Sequence, residues 1–252
     1  MSLTVDFNLS FGLSPFSNES GATDQVSAMS NSDRLAKLRR DMEPRIQQSR
    51  HRLRTQWLHD ALARAEDYYT NGSRGPVSWV LAVGGEVPEG AFNGCSTSDP
   101  NVDPICVVRG FVGGGIHVGI LAQEFSHMKY AILGYDWKLI PTDIYEVLVA
   151  SPDAVRWVPA ASGSLNLASL GAHAVEGGYE AHGEPLYVAQ AYLHGMWRPG
   201  KHSARLPCTW DDNSASSVRF IADCWDEHQA AHIPYGQKEN LIKDFRILCY
   251  VD

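Results

Sequence analysis

Residues 79–85 read WVLAVGG, and residues 157–163 read WVPAASG, so a tryptophan-led apolar run that ends in a turn occurs twice in the chain. A second pair of segments repeats in the same way, YEVLV at residues 145–149 and FRILC at residues 245–249. Self-similarity on this scale is typical of a module that has been duplicated and whose two copies share one core. It therefore predicts that the second half of the chain is built on the plan of the first.

Turn residues punctuate everything after residue 75. The corners are Gly84-Gly85, Pro88-Glu89-Gly90, Gly113-Gly114-Gly115, Gly177-Gly178 and Pro199-Gly200. Short apolar runs between such corners predict an all-β region. We therefore expect a mainly β fold, a duplicated pseudo-twofold antiparallel β module preceded by an α-helical N-terminal segment.

The spacing of matched residues gives the boundaries of the two copies. Asp99 and its match Glu180 are 81 positions apart, whereas Tyr145 and its match Phe245 are 100 apart. About nineteen extra residues therefore lie in the second copy. We expect a β module over residues 77–252, with repeats at about 77–150 and 155–252 and an insert at about 202–231.

The leader before the β module has a different character. Residues 1–30 predict a flexible tail or, from alternating apolar residues near the start, an edge strand. Residues 31–74 have helical periodicity, and Pro44 predicts a bent helix or a helical hairpin that ends near Asn71. This helical segment is basic, with Arg34, Lys37, Arg39, Arg40, Arg45, Arg50, Arg52 and Arg54. The stripe is either a surface for nucleic acid or anionic membrane, or a solvated face that balances an acidic body, and interruption by acidic residues favours the second.

Composition limits the classes of protein to consider. The net charge is -8 and 44% of the residues are hydrophobic, which is typical of a globular protein and argues against a nucleic-acid partner. No apolar run is long enough for a transmembrane segment, and no signal peptide is visible, so we expect a cytoplasmic location, with unconventional release as an exception. Five cysteines, scattered and odd in number, favour reduced thiols. A Cys208–Cys224 bridge remains open.

An ordered series of motifs fills the second copy: WVPAASG at 157–163, EPLYVAQA at 184–191, PGK at 199–201 and IPYGQKE at 233–239. With these motifs the chain resembles the DM-nine repeat family over about residues 77–252, and the helical leader lies outside the resemblance. The best-understood members are mannose-binding lectins, and relatives include modules of pore-forming toxins and cytoskeletal proteins of crawling sperm. The resemblance implies a β-rich, non-catalytic protein.

The resemblance also implies a ligand site. In the lectins an acidic residue after the Gly-Gly corner and the lysine of the PGK motif hold sugar hydroxyls, which implies Glu180 and Lys201 here. Asp99 is the acidic position of the first copy, but the 81-residue offset sets Ile120 against Lys201, so we expect that copy to have lost its site.

The residues themselves suggest how such a site would be completed. Glu239 adds a second carboxylate if the corners converge, and Tyr179 or Tyr235 would supply an aromatic face for the sugar ring. The alternative is an exposed Glu180–Lys201 salt bridge, worth at most about 1 kcal/mol. The site assignment predicts that Lys201→Ala abolishes glycan binding and leaves the melting temperature nearly unchanged.

Other kinds of site have weaker support. Histidines gather in the second copy, but their spacing matches no metal-ligand pattern, so we expect neither a metal nor a cofactor. We expect no enzymatic activity, since no nucleophile motif is present. The sequence thus favours a carbohydrate-binding, mannose-type lectin-like protein of recognition or defence, a homo-oligomer whose partners are mannose-containing glycans. The alternative is a scaffold protein whose basic helices contact proteins or anionic surfaces.

Overall fold

The computed structural model describes residues 29–95, 102–122, 128–160, 170–203 and 230–251. Two helices come first, α1 at Asn31–Gln48 and α2 at Arg52–Asn71. The strands of the first repeat are β1 at Val77–Val83, β2 at Ile105–Val112, β3 at Gly115–Ala122, β4 at Ala131–Tyr135, β5 at Lys138–Thr142 and β6 at Ile144–Ala150. Those of the second are β7 at Val155–Ala160, β8 at Glu176–Tyr179, β9 at Pro185–Leu193, β10 at Met196–Ser203, β11 at Ala231–Tyr235, β12 at Lys238–Ile242 and β13 at Phe245–Tyr250.

The described strands make one antiparallel sheet system in which the duplication is visible. Strands of the first repeat hydrogen-bond in the order β1-β6-β2-β3-β4-β5, and strands of the second in the order β7-β13-β9-β10-β11-β12. The registers also match, since Ala82 pairs with Tyr145 in the first repeat and Ala160 with Phe245 in the second. The mainly antiparallel β fold with N-terminal helices, predicted from the sequence, is confirmed.

Strand β8 joins the two repeats. It pairs with β9 of its own repeat and, through Tyr179 opposite Ile116, with β3 of the other. The offset between matched strands is 81 at β3 and β10 and 100 at β4 and β11, so the extra residues fall between β10 and β11. The repeats therefore form a continuous structure, and the β8 end of the second repeat lies against the first.

Matched apolar side chains fill the two cores. Val108, Leu133 and Tyr145 are buried together in the first repeat. Their counterparts in the second are Ala189, Ile233 and Phe245, also buried together. Burial of these alternating side chains is the main favourable contribution to folding.

The helical leader packs on the first repeat. α1 continues through Pro44, and residues 49–51 are a non-helical connection to α2. The two helices therefore form a hairpin, which ends at Gly72 with φ 79°. Leu38, Met42, Trp57, Leu58, Ala61 and Ala65 of the hairpin are buried against Leu81, Val83, Ile116 and Ile144. None of the helices in the described part of the chain is long and apolar enough to cross a membrane.

A buried carboxylate ties α2 to the sheet. Glu146 of β6 is fully buried and accepts from the guanidinium groups of Arg64 and Arg109, each at 2.8 Å, and from the Trp57 indole at 3.2 Å. Burial alone would raise the pKa of Glu146, but the two guanidinium groups more than offset it and hold this pKa below its usual range. The helices are therefore anchored to the β module by charge as well as by apolar packing.

Several sequence predictions fall outside the described residues. They concern the tail or edge strand before residue 29, the insert and its Cys208 and Cys224, and the Asp99 ligand position. In the described part, Cys95, Cys106 and Cys249 are buried free thiols.

Candidate functional site

The structure gathers three of the predicted ligand residues at the boundary between the repeats. Glu180 follows β8, Lys201 lies in β10 and Glu239 in β12. Two histidines complete the group, His117 from β3 and His232 from β11. These five residues, Glu180, Lys201, Glu239, His117 and His232, are called the polar cluster below.

Lys201 is the centre of the polar cluster. Its ammonium group donates to the Gly134 carbonyl at 2.7 Å and to His117 Nδ1 at 3.0 Å, and lies 3.2 Å from Glu239 Oε1. An ammonium group has three donors; two of them are hydrogen-bonded here, and the charge is paired with the Glu239 carboxylate. The residue is only 4% exposed. Two hairpins close over its side chain, and this burial argues against the prediction that Lys201→Ala leaves the melting temperature nearly unchanged.

The position of the Glu239 carboxylate explains a glycine in the other repeat. Glu239 lies against Gly134 of β4, and a Cβ atom on Gly134 would overlap its carboxylate. The Glu239 backbone N–H also donates to the Trp137 carbonyl at 3.4 Å. The β4–β5 hairpin of the first repeat thus contacts β12 of the second, and the carbonyl of Gly134 is free to face Lys201.

The environment fixes the charges of the buried groups. Burial would raise the pKa of Glu239, but the neighbouring His232 ring and the charge of Lys201 lower it to about 2, so this carboxylate is ionised. Burial and the adjacent Lys201 charge lower the pKa of His117 to about 3, so this imidazole is neutral at physiological pH. Burial also raises the pKa of Glu180.

A neutral His117 beside Lys201 has one possible tautomer. Because Lys201 can only donate, His117 Nδ1 must accept, and the ring proton must be on Nε2. This Nε2–H group is buried, has no hydrogen-bond partner among the described residues, and lies 3.6 Å from Glu180 Oε2. The Glu180 side chain is 28% exposed. The polar cluster therefore presents a buried donor beside an acceptor that solvent can reach.

The two repeats place their aromatic residues in matching positions. Tyr135 packs edge-on against His117, with ring centroids 4.9 Å apart. Its counterpart Tyr235 instead lies 4.1 Å under the guanidinium of Arg198, the residue that matches His117, and 4.9 Å from the ring of His194. The tyrosine at the polar cluster is thus Tyr135, and Tyr235, predicted as a ligand residue with Lys201, lies at the matching position of the other half.

The counterpart of the polar cluster in the first repeat is apolar. Lys201, His232 and Glu239 correspond to Ile120, Ile132 and Leu139, by offsets of 81 and 100 residues. Ile120 and Ile132 are buried with Cys95, Ile105 and Ala122, and Leu139 packs against them. The same positions of the fold are therefore filled by hydrocarbon in one repeat and by charged and polar groups in the other.

Sequence reasoning missed His117 and gave His232 no role in ligand binding. The only signal for His117 is its place within an apolar stretch, between Ile116 and Val118, where a polar residue needs a partner. That partner, Lys201, is 84 positions away. No group of three or more metal-binding side chains occurs in the described ranges.

Comparisons with known proteins agree with the motifs. Residues 99–210 match the DM9 repeat. Among solved structures, the chain is similar to the crystal structure of the nematode sperm cell motility protein MFP2B, with 14% identity and a TM-score of 0.43 over 69% of this chain and 45% of that one. The chain thus spans less than half the length of that protein. No curated protein matches significantly. The resemblance predicted from the motifs is confirmed, and the chain carries a DM9 repeat region at residues 99–210.

Proposed function

We propose that the protein is a non-enzymatic carbohydrate-binding protein of mannose type, which holds its ligand at the polar cluster. The observation that carries this proposal is the comparison between the repeats. Ile120, Ile132 and Leu139 make the same part of the fold without any charge. Because burying charged groups is costly, their presence in one repeat alone favours a role other than folding.

The geometry suits a hydroxyl group. A hydroxyl both accepts and donates, and His117 Nε2–H and Glu180 Oε2 are a donor and an acceptor 3.6 Å apart. An oxygen about 2.8 Å from each atom would satisfy both. A hydroxyl placed there would give the orphaned imidazole donor its missing partner.

Lys201 has a supporting role in this proposal. Two hydrogen bonds within the protein and an ion pair with Glu239 already engage its ammonium group, so in this proposal it orients His117 and neutralises Glu239 rather than contacting the sugar. Its positive charge also favours the ionised form of Glu180. This role differs from the direct contact implied by the family resemblance, and it makes Glu180 the residue to test.

Avidity depends on the number of such sites. The described residues hold one polar cluster, and sites that bind through hydroxyl groups alone are weak, so useful avidity would need several chains. A homo-oligomer that binds mannose-containing glycans is the form of the protein that fits this requirement. A role in recognition or defence and a location in the cytoplasm are part of the same proposal.

The alternative of a scaffold with basic helices has less support. Three basic side chains of this segment form ion pairs within the chain: Lys37 with Glu86, Arg39 with Glu66, and Arg45 with Asp143. These pairs hold the helices to each other and to the β module. Fewer basic side chains are therefore available to contact a partner than the sequence suggests.

The direct test is a calorimetric titration with methyl α-mannoside, together with a glycan array, on the full chain and on Glu180→Gln. A hydrogen bond to a charged group contributes about 1.5–3 kcal/mol, so the variant should bind at least about tenfold more weakly. Glu176→Gln is the matched control, because Glu176 is an exposed carboxylate four positions earlier. Its affinity should equal that of the natural chain.

Two results would contradict the proposal. One is a folded protein that is silent towards every glycan, which would favour the scaffold alternative. The other is mannoside binding that Glu180→Gln leaves unchanged, since the ligand would then lie elsewhere.

A further inference from the structure

The turn between β4 and β5 holds an aromatic residue in an unfavourable backbone conformation. Asp136 and Trp137 both have positive φ angles, 49° and 62°. For a bulky side chain this left-handed region is a true outlier, and such outliers concentrate at functional sites. The Trp137 residue is also 48% exposed. Neither the backbone nor apolar burial accounts for a tryptophan here.

The second repeat shows that the hairpin does not need this residue. Asp136 and Trp137 correspond to Gly236 and Gln237, and there the left-handed position is taken by Gly236, with φ 69°. Gln237 is not among the described residues with positive φ. The second repeat thus connects its matching strands by a different two-residue turn, in which only the glycine has a positive φ. The aromatic residue with a positive φ is a feature of the β4–β5 hairpin.

Trp137 is held at the edge of the polar cluster. Its carbonyl accepts the backbone N–H of Glu239 at 3.4 Å, which fixes the turn to β12. Its indole ring lies 6.5 Å from the ring of His232, whose Nδ1 is 3.5 Å from Glu239 Oε2. An exposed aromatic face therefore stands beside the polar groups in a position set by backbone contacts.

We propose that Trp137 is the platform on which the apolar face of the sugar ring packs. This inference rests on the proposed function and adds the ligand class, a pyranoside that has a continuous C–H face and adjacent hydroxyl groups at one edge. The C–H face contacts the indole, and the hydroxyl edge faces the polar cluster. Aromatic side chains combine a large apolar surface with a rigid frame, which suits this contact.

The experiment compares Trp137→Gly, Trp137→Phe and the natural chain in titrations with methyl α-mannoside. Trp137→Gly should bind at least about tenfold more weakly, whereas Trp137→Phe, which keeps an aromatic face, should stay within a few-fold of the natural affinity. Because glycine is comfortable at φ 62°, the glycine variant should melt no lower than the natural chain, so a loss of binding cannot come from misfolding. Tyr192→Ala is the control, an aromatic residue 56% exposed in the second repeat, and should bind normally.

A second measurement identifies the contacting face. In saturation-transfer NMR with the natural chain, the ring C–H protons of the mannoside should receive the strongest transfer, and Trp137→Gly should lose it. Natural binding by Trp137→Gly, together with lost binding by Glu180→Gln, would overturn the platform and leave the proposed function standing. Absence of binding by the natural chain would overturn both.

Discussion

Replacing Lys201 by isoleucine, the residue at the matching position of the first repeat, tests the central ion pair of the polar cluster. The substitution removes a positive charge 3.2 Å from Glu239, a carboxylate that is only 3% exposed. Removing one member of a buried ion pair typically costs about 3–5 kcal/mol of unfolding free energy, since the other charge is left uncompensated. The Gly134 carbonyl and His117 Nδ1 lose their donor as well.

Equilibrium urea unfolding at neutral pH measures this cost. The control is Lys138→Met. It removes an ammonium group 2.9 Å from Asp136, and the Lys138 side chain is 69% exposed. An exposed pair contributes at most about 1 kcal/mol, so the control should stay close to the natural stability. Lys201→Ile should therefore be less stable than Lys138→Met by several kcal/mol.

The double variant Lys201→Ile with Glu239→Leu completes the test. It reproduces the Ile120 and Leu139 combination of the first repeat, in which Ile120 is buried and Leu139 packs against the same apolar cluster. Replacing both partners by apolar groups removes the uncompensated carboxylate, so the double variant should regain most of the stability lost by Lys201→Ile. If Lys201→Ile lowers the unfolding free energy by less than about 1 kcal/mol, as the control does, the argument that Lys201 compensates a buried carboxylate would be refuted.

Three further predictions concern neighbouring parts of the structure. His117 has a folded pKa of about 3 against about 6.5 when unfolded, so its contribution to stability is complete above pH 6.5 and falls by about 1.4 kcal/mol per pH unit towards pH 3. When urea unfolding is followed as the pH is lowered, the stability of His117→Gln should fall less steeply by that slope, and a slope equal to that of the natural chain would contradict this reasoning. Arg64→Met removes one guanidinium from Glu146 and should cost about 1–2 kcal/mol, with faster amide hydrogen exchange in α1 and α2 but not in the sheet; equal acceleration throughout would contradict this anchor. Gly134→Ala places a methyl group where the Glu239 carboxylate lies and should lower the unfolding free energy by about 1–3 kcal/mol in urea; unchanged stability would show that the carboxylate can move aside.

The duplication could be predicted because the sequence segments that match between the two repeats form strands in the same order in each. The offsets of 81 and 100 residues, read from a few apolar and acidic positions, place the matching strands of both repeats. Turn residues and apolar runs are local signals, and the fold obeys them here. The helical hairpin was predicted by periodicity in the same way, although the break lies at residues 49–51 rather than at Pro44.

The site was predictable only in part because its contacts are not local. Glu180, Lys201 and Glu239 do meet at one boundary, but the burial of Lys201 depends on the β4–β5 hairpin of the other repeat. His117 is a partner that no spacing rule within one repeat can reveal. Tyr235 illustrates the converse, since its motif is present but its ring contacts Arg198 of the same repeat instead of the polar cluster. Motif spacing identifies candidate ligand residues, whereas the environment of these residues is set by how two hairpins, distant in sequence, pack against each other.

The boundary between the repeats runs through the polar cluster, with His117 and Gly134 on one side and Glu180 and Lys201 on the other. A relative slide of the two halves by an ångström would change both the Lys201–Gly134 contact and the gap between His117 and Glu180. The geometry of the polar cluster would therefore change with any relative movement of the two repeats, such as one caused by a partner that binds one repeat alone.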